Sequence, residues 1–187
     1  MSVLDQIVKA YDIRGTVPDQ LDADVAYALG VGFASFLRSN SNAERIVIAR
    51  DMRPSGPAFV EAFSRGVLNL GIDVIDLGLG STDLMYYASG VLDAPGAMFT
   101  ASHNPAGYNG IKLCVAAARP VGADTGLLEV KRVADQVLEG GGPKPAVSAG
   151  SRSERNVLSD FAEHVLSRIR IRPCSRRGAL RPRADVS

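Results

Sequence analysis

Residues 100–112 read Thr-Ala-Ser-His-Asn-Pro-Ala-Gly-Tyr-Asn-Gly-Ile-Lys. Ser102 offers a hydroxyl nucleophile, and its small neighbours Ala101, Ala106, Gly107 and Gly110 leave room for a phosphoryl group. Backbone amides and the side chains of His103 and Asn104 can donate hydrogen bonds to phosphoryl oxygens, and Lys112 supplies a positive charge or a proton-transfer group. Phosphoryl transfer suits these residue types, because it depends on positioning and on neutralising charge at the phosphoryl oxygens. On composition alone, the string reads equally well as an Asn-, Pro- and Gly-rich turn whose serine and lysine meet only water. A serine-hydrolase reading fares worse: there is no Gly-x-Ser-x-Gly elbow, and the other histidine, His164, falls in a predicted helix where a solvated or packing role is expected.

The elements that must position this string follow from periodicity. Leu21, Val25, Ala28, Leu29, Phe33, Phe36 and Leu37 recur at helical spacing, and Asp22 can cap that helix. Arg45–Arg50 is a short β-branched run; Pro54 and Gly56 then break the chain before Phe59, Phe63, Val67 and Leu70 return to helical spacing. Residues 72–77 predict a strand, 84–92 a helix, and 96–101 and 110–115 two more strands. A helix is expected over 126–138, ended by Gly140-Gly141-Gly142-Pro143, and a last one over about 153–169. Alternating strands and helices predict an α/β fold, a three-layer α/β/α domain with a mainly parallel mixed sheet of about four strands. The short link between the last two strands makes that final pair antiparallel. In such a sheet the 100–112 string emerges at the carboxyl edge, where ligands gather.

Two other strings stand out. Tyr11-Asp12-Ile13-Arg14-Gly15, taken alone, reads as a strand start with a turn glycine and an exposed ion pair. Arg50-Asp51-Met52-Arg53-Pro54-Ser55-Gly56 follows the first β-branched strand, and its Arg50, Asp51 and Arg53 are expected to fix the loop by hydrogen bonds and ion pairs. Gly78-Leu79-Gly80 is no dinucleotide fingerprint, since Asp83 stands where the third glycine belongs.

Taken together, Thr100–Lys112 and these two strings, in this order, resemble the α-D-phosphohexomutase family of phosphomannomutases and phosphoglucomutases. The resemblance implies that Ser102 carries a phosphoryl group between the 1- and 6-positions of a hexose phosphate. It also implies that Lys112 moves a proton to or from the sugar oxygen. Tyr11 and Arg14 match residues lining the same site, and His103, Asn104 and Asn109 match positions that shape the loop and the substrate site. Ser81-Thr82-Asp83 departs from the Pro-Thr-Pro-like turn of many members and leaves the choice between mannose and glucose open.

The family also implies Mg²⁺, held in part by Ser102 through its phosphoryl group. Its aspartate-rich metal loop, Asp-Gly-Asp-x-Asp-Arg, has no counterpart in this sequence. The resemblance therefore implies the N-terminal domain over residues 1–150, then a helix over 151–170 leading toward a second domain. The isolated chain is expected to be inactive. The rival readings are a non-catalytic phosphate- or sugar-binding module and a partner that docks on a full-length mutase.

Composition sets the remaining bounds. With 46% hydrophobic and 22% charged residues over 187 positions, the chain is expected to fold. No apolar run approaches the ~20 residues of a membrane span, and no secretory signal is read at the start. Cys114 and Cys174 match neither a disulfide framework nor a zinc site, so the expected location is cytoplasmic. Residues 168–187 hold seven of the 21 bases and one of the 20 acids, which leaves 14 bases against 19 acids, a balance of −5, over residues 1–167. The stretch 171–187 is expected to be a disordered Arg-rich tail, with arginine but no lysine, as from a shifted reading frame. The competing reading is a basic arm for nucleic acid. The absence of interleaved aromatics and the acidic body argue against it, so neither a nucleic-acid nor a membrane partner is expected.

Overall fold

The computed structural model describes residues 2–169. The Arg-rich tail expected over 171–187 lies outside them. The elements run α1 (Val3–Ile7), β1 (Ile13–Thr16), α2 (Ala23–Asn40), β2 (Arg45–Arg50), α3 (Gly56–Asn69), β3 (Asp73–Leu79), α4 (Thr82–Val91), β4 (Gly96–Phe99), β5 (Tyr108–Val115), β6 (Arg119–Pro120), α5 (Leu127–Leu138), β7 (Arg152–Glu154) and α6 (Leu158–Arg168). The sheet has seven strands in the order β1-β5-β4-β2-β3-β7, with β6 paired to β5. Strands β4, β2, β3 and β7 are mutually parallel, while β5 runs antiparallel to β4 and to β1. The mixed sheet and its antiparallel β4–β5 pair are as expected, and the strand count exceeds the four read from the pattern.

Alternation along the strands builds the layers. Ile46, Ile48, Val74, Ala97, Phe99, Ile111 and Leu113 point to one face and form a single cluster with the apolar sides of α2, α3 and α5. Val47, Ala49, Met98 and Cys114 point to the other, where α4 covers them. The helix α2 starts where Asp22 accepts a hydrogen bond from the Val25 N–H at 2.8 Å, the cap expected from its position.

Helices α2 and α3 approach closely because glycines face each other's backbone. A Cβ on Gly30 would lie 2.2 Å from the Phe63 carbonyl oxygen, and one on Gly66 would lie 2.4 Å from that of Tyr27. This brings Phe33 to 6.2 Å from Phe63, whose ring meets Phe99 edge-on at 5.4 Å between centroids. Phe99 ends β4, so the packing of α2 on α3 anchors the strand from which the Ser102 loop departs.

The last segment differs from expectation. Residues 152–154 form β7, and the helix starts at Leu158. All of β7 is exposed, so no hydrophobic alternation announces it. Polar contacts hold it instead: Asp73 accepts from the Ser151 N–H at 2.6 Å, and Arg152 pairs with Asp76 at 2.6 Å and also with Glu61.

If the α2–α3 approach anchors the sheet, Gly30→Ala should destabilise the chain by about 1–3 kcal/mol through overpacking. Urea unfolding should show a lower midpoint with an unchanged m value. An unaltered midpoint would show that the two helices can part without loss.

Candidate active site

Strands β2 and β4 are neighbours with parallel register, Ala49 opposite Met98 and Arg50 opposite Phe99. Their carboxyl ends therefore release two loops side by side, residues 51–55 and residues 100–107. Beside them, β1 runs antiparallel to β5, with Arg14 opposite Gly110 and Thr16 opposite Tyr108. Three distant strings thus meet at one edge of the sheet.

Ser102 is exposed and adopts φ +53°, a left-handed conformation uncommon for a non-glycine residue. Local bonds hold that turn. The Ser102 N–H donates to Thr100 Oγ1 at 2.9 Å, the Asn104 N–H to the Ala101 carbonyl at 3.0 Å, and the Tyr108 N–H to the Pro105 carbonyl at 3.0 Å. The His103 Nδ1 lies 3.5 Å from Ser102 Oγ, at the outer limit of a hydrogen bond.

Beneath the loop lies Arg53, only 9% exposed. Its Nη1 donates to the carbonyls of Pro105 at 2.8 Å and Tyr108 at 2.7 Å. Its Nη2 donates to those of Ser102 at 3.0 Å and Asn104 at 2.8 Å. The Nε reaches Asp51 Oδ2 at 3.3 Å, and Asp51 Oδ1 accepts from the Arg53 N–H at 3.0 Å. The loop-fixing role read for this string thus falls on Arg53 and Asp51. Arg50 instead lines a separate hollow of about 440 Å³ with Asp76, Leu79, Glu154 and Arg155.

Asn109 provides a second tie. It is fully buried; its Nδ2 donates to Ser55 Oγ at 2.8 Å and its Oδ1 accepts from the Gly110 N–H at 2.8 Å. Arg14 donates to Asn104 Oδ1 at 2.9 Å and to Asp12 Oδ2 at 2.6 Å, and Lys112 reaches that same Asp12 oxygen at 3.2 Å. Asp12 therefore holds two cations together on the open end of the sheet.

Of the residues read from the sequence, Arg14, Asn104 and Ser102 join one network through the loop, with Lys112 attached through Asp12. Asn109 lies beneath it. Tyr11 is 80% exposed and makes no hydrogen bond among the described residues. His164 packs its ring 5.0 Å from that of Tyr87, a helix-packing role. Sequence reasoning passed over the bridging role of Asp12 and the partnership of Ser55 with Asn109. Both lie inside strings already marked, but only the fold reveals whom they meet.

Beside Ser102 opens a hollow of about 300 Å³ lined by Asp51, Met52, Arg53, Pro54, Asn104 and Ala106. The described residues do not fit the Mg²⁺ that the resemblance implies. They contain no cluster of three or more His, Cys, Asp or Glu able to hold a metal, and Asp12 and Asp51 are already bound to cationic side chains. Cys114 is fully buried, and that burial pushes its thiol pKa up, opposed by its hydrogen bonding with Ser89, to whose Oγ it donates, and with the Gly96 backbone, so it is no competing nucleophile.

The fold and site define an α/β/α domain that presents a serine loop at the carboxyl edge of a mixed sheet. Residues 5–136 match the family model described as phosphoglucomutase/phosphomannomutase, alpha/beta/alpha domain I. A Vibrio cholerae protein named phosphomannomutase is 34% identical over 165 residues, which cover 86% of this chain and 34% of the relative. A Xanthomonas campestris protein named phosphohexose mutases is 41% identical over 162 residues, covering 85% of this chain and 34% of the relative. The crystal structure of a phosphoglucomutase/phosphomannomutase family protein from Burkholderia thailandensis superposes with a TM-score of 0.75 at 32% identity, over 87% of this chain and 36% of that one. The chain belongs to the phosphoglucomutase/phosphomannomutase family. It spans about a third of the length of these relatives.

The Asn109 tie can be tested on stability. Asn109→Ala leaves the Ser55 hydroxyl and the Gly110 N–H without partners, and an orphaned buried group costs about 1–3 kcal/mol. Thermal unfolding should shift down accordingly. A melting temperature equal to the parent's would show that water replaces the side chain at no cost.

Proposed function

We propose that Ser102 accepts and returns the phosphoryl group in the interconversion of hexose 1- and 6-phosphates. The observation that carries this reading is an exposed serine at the carboxyl edge of the sheet, on a loop bonded to Arg14 and close in the network to Lys112. In the first transfer a free hydroxyl of the hexose monophosphate attacks the phosphorus carried on Ser102, and its proton leaves through Lys112. The bond from phosphorus to the Ser102 oxygen breaks, the serine oxygen takes a proton from solvent, and the sugar becomes a 1,6-bisphosphate. After the bisphosphate reorients, the Ser102 oxygen bonds to the other phosphorus as the bond from that phosphorus to the sugar oxygen breaks. Lys112 returns a proton to the departing sugar oxygen and the serine proton passes to solvent. Arg14 and Asn104 bind phosphoryl oxygens, a task suited to a guanidinium and an amide N–H₂. His103, adjacent to Ser102, offers a further donor, Tyr11 an exposed ring and hydroxyl for the sugar, and Asn109 keeps the loop in register.

Family membership supports the hexose phosphate substrate, and the named relatives support mannose or glucose as the sugar. Magnesium would supply charge neutralisation at the transferring group, but no carboxylate set for it exists among the described residues. That same observation favours one second reading, a phosphate-binding module without turnover. No described helix is long and apolar enough to cross a membrane. The cytoplasm is the proposed location, where hexose phosphates are produced and where the free, buried Cys114 stays reduced.

The two readings separate in a labelling experiment. The 187-residue chain is incubated with a ³²P-labelled hexose 1,6-bisphosphate and Mg²⁺, then digested and mapped, with Ser102→Ala as the blank. Slow labelling of Ser102 alone is expected, with conversion of mannose 1-phosphate or glucose 1-phosphate far below an ordinary ~10 s⁻¹. Label that persists in Ser102→Ala would refute the assignment of the carrier. Binding of the bisphosphate with no label on Ser102 would establish the module reading instead.

A further inference from the structure

Arg53 spends its guanidinium on Asp51 and on four loop carbonyls, and that geometry decides which way the loop's polar groups face. The loop's peptide bonds are all trans, and in a trans peptide the carbonyl and the N–H of the same plane point in opposite directions. Arg53 draws the Ser102 and Pro105 carbonyls down onto its Nη atoms, at 3.0 and 2.8 Å. The N–H groups of the same two peptide planes belong to His103 and Ala106. Both must point away from Arg53, toward the solvent side of the loop. Neither has an acceptor among the described residues, nor has the N–H of Gly107, whereas the N–H groups of Ser102, Asn104 and Tyr108 are all spent within the loop.

The arrangement is asymmetric: four carbonyls face inward on a buried cation, and unspent amide donors face outward next to an exposed serine. Outward amides in a tight turn form an anion-binding concavity. On the reading that Ser102 carries a phosphoryl group, we propose that Arg53 is a positioning residue for phosphoryl transfer, and that the backbone N–H groups of His103 and Ala106 are the donors it aims at the phosphoryl oxygens. The planar fork is what matters here. A lysine would keep the charge but could not hold four carbonyls in one plane, because its ammonium has three donors and no fixed geometry. Asp51 completes the device, since its bond to Nε sets the plane of the guanidinium.

The test needs no enzymatic turnover, so its failure is distinct from failure of the proposed activity. Phosphoserine is installed at position 102 of the full chain by genetic encoding. Its amide protons and ³¹P resonance are then followed by NMR from pH 5 to 8, across the second ionisation of a free phosphoserine near ~6. The His103 and Ala106 amide protons are expected to move downfield as the dianion forms, while amides on the far edge of the sheet stay still. Hydrogen bonds to the charged form favour it, so the phosphate should ionise at lower pH than in an unfolded peptide of the same sequence. In Arg53→Lys the two amide responses should be lost and the phosphate should ionise at higher pH than in the parent, with Ile111 and Leu113 resonances unchanged as the control for folding. Silent His103 and Ala106 amides in the parent chain would overturn the proposal without recourse to any variant. So would an Arg53→Lys chain that keeps both responses, since charge alone would then suffice.

Discussion

A single guanidinium, that of Arg53, joins the two loops on which the site depends. A cation so nearly buried is tolerated only when it is paired and its donors are used. Arg53 meets both conditions with Asp51 as counter-charge and four backbone carbonyls as acceptors. Hydrogen bonds to charged groups contribute about 1.5–3 kcal/mol each, though four on one group do not add independently. Most of residues 102–107 are exposed, so water can replace the guanidinium at many of these carbonyls. The consequence of losing Arg53 is therefore local: the loop would lose its shape long before the domain unfolded.

The rest of the fold serves to put Arg53 under that loop. Adjacent parallel strands β2 and β4 end together, and the chain after β2 turns at once into α3, which fixes Ser55 against Asn109. Phe63 on α3 packs on Phe99, the last residue before the loop's own strand gives way to Thr100. The same helix thus holds the base of both loops from two sides. Across β5, β1 brings Arg14 to Asn104, and Asp12 gathers Arg14 and Lys112 into one cationic pair. Neighbouring cations repel unless a carboxylate stands between them, which is why Asp12 belongs to the site as much as they do.

Much of this was legible in the sequence. Residues 45–50, 56–69 and 127–138 carry clean periodicities, and the structure places elements there. The residue types of the serine loop fitted a phosphoryl site and a solvated turn equally well, and what set the loop apart was its company, the Tyr11–Gly15 and Arg50–Gly56 strings in the same order. What escaped was the strand held by polar contacts. Strand β7 is wholly exposed, its place set by Arg152 with Asp76 and Glu61. No hydrophobic pattern marks such a strand. Nor could the sequence say that the donors of Arg53 would go to backbone carbonyls some fifty residues away, since main-chain acceptors carry no residue signature.

The claim that Arg53 shapes the serine loop is tested most directly by amide hydrogen exchange in the parent chain and in Arg53→Lys. The reporters are the Asn104 and Tyr108 N–H groups, which bond within the loop to Ala101 and Pro105, and the Thr100 N–H, which bonds across to Gly110. The account predicts faster exchange at Asn104 and Tyr108 in Arg53→Lys, with protection retained along the β4–β5 ladder. Equal exchange at Asn104 and Tyr108 in the two proteins would contradict it, because the loop would then hold its shape without the guanidinium.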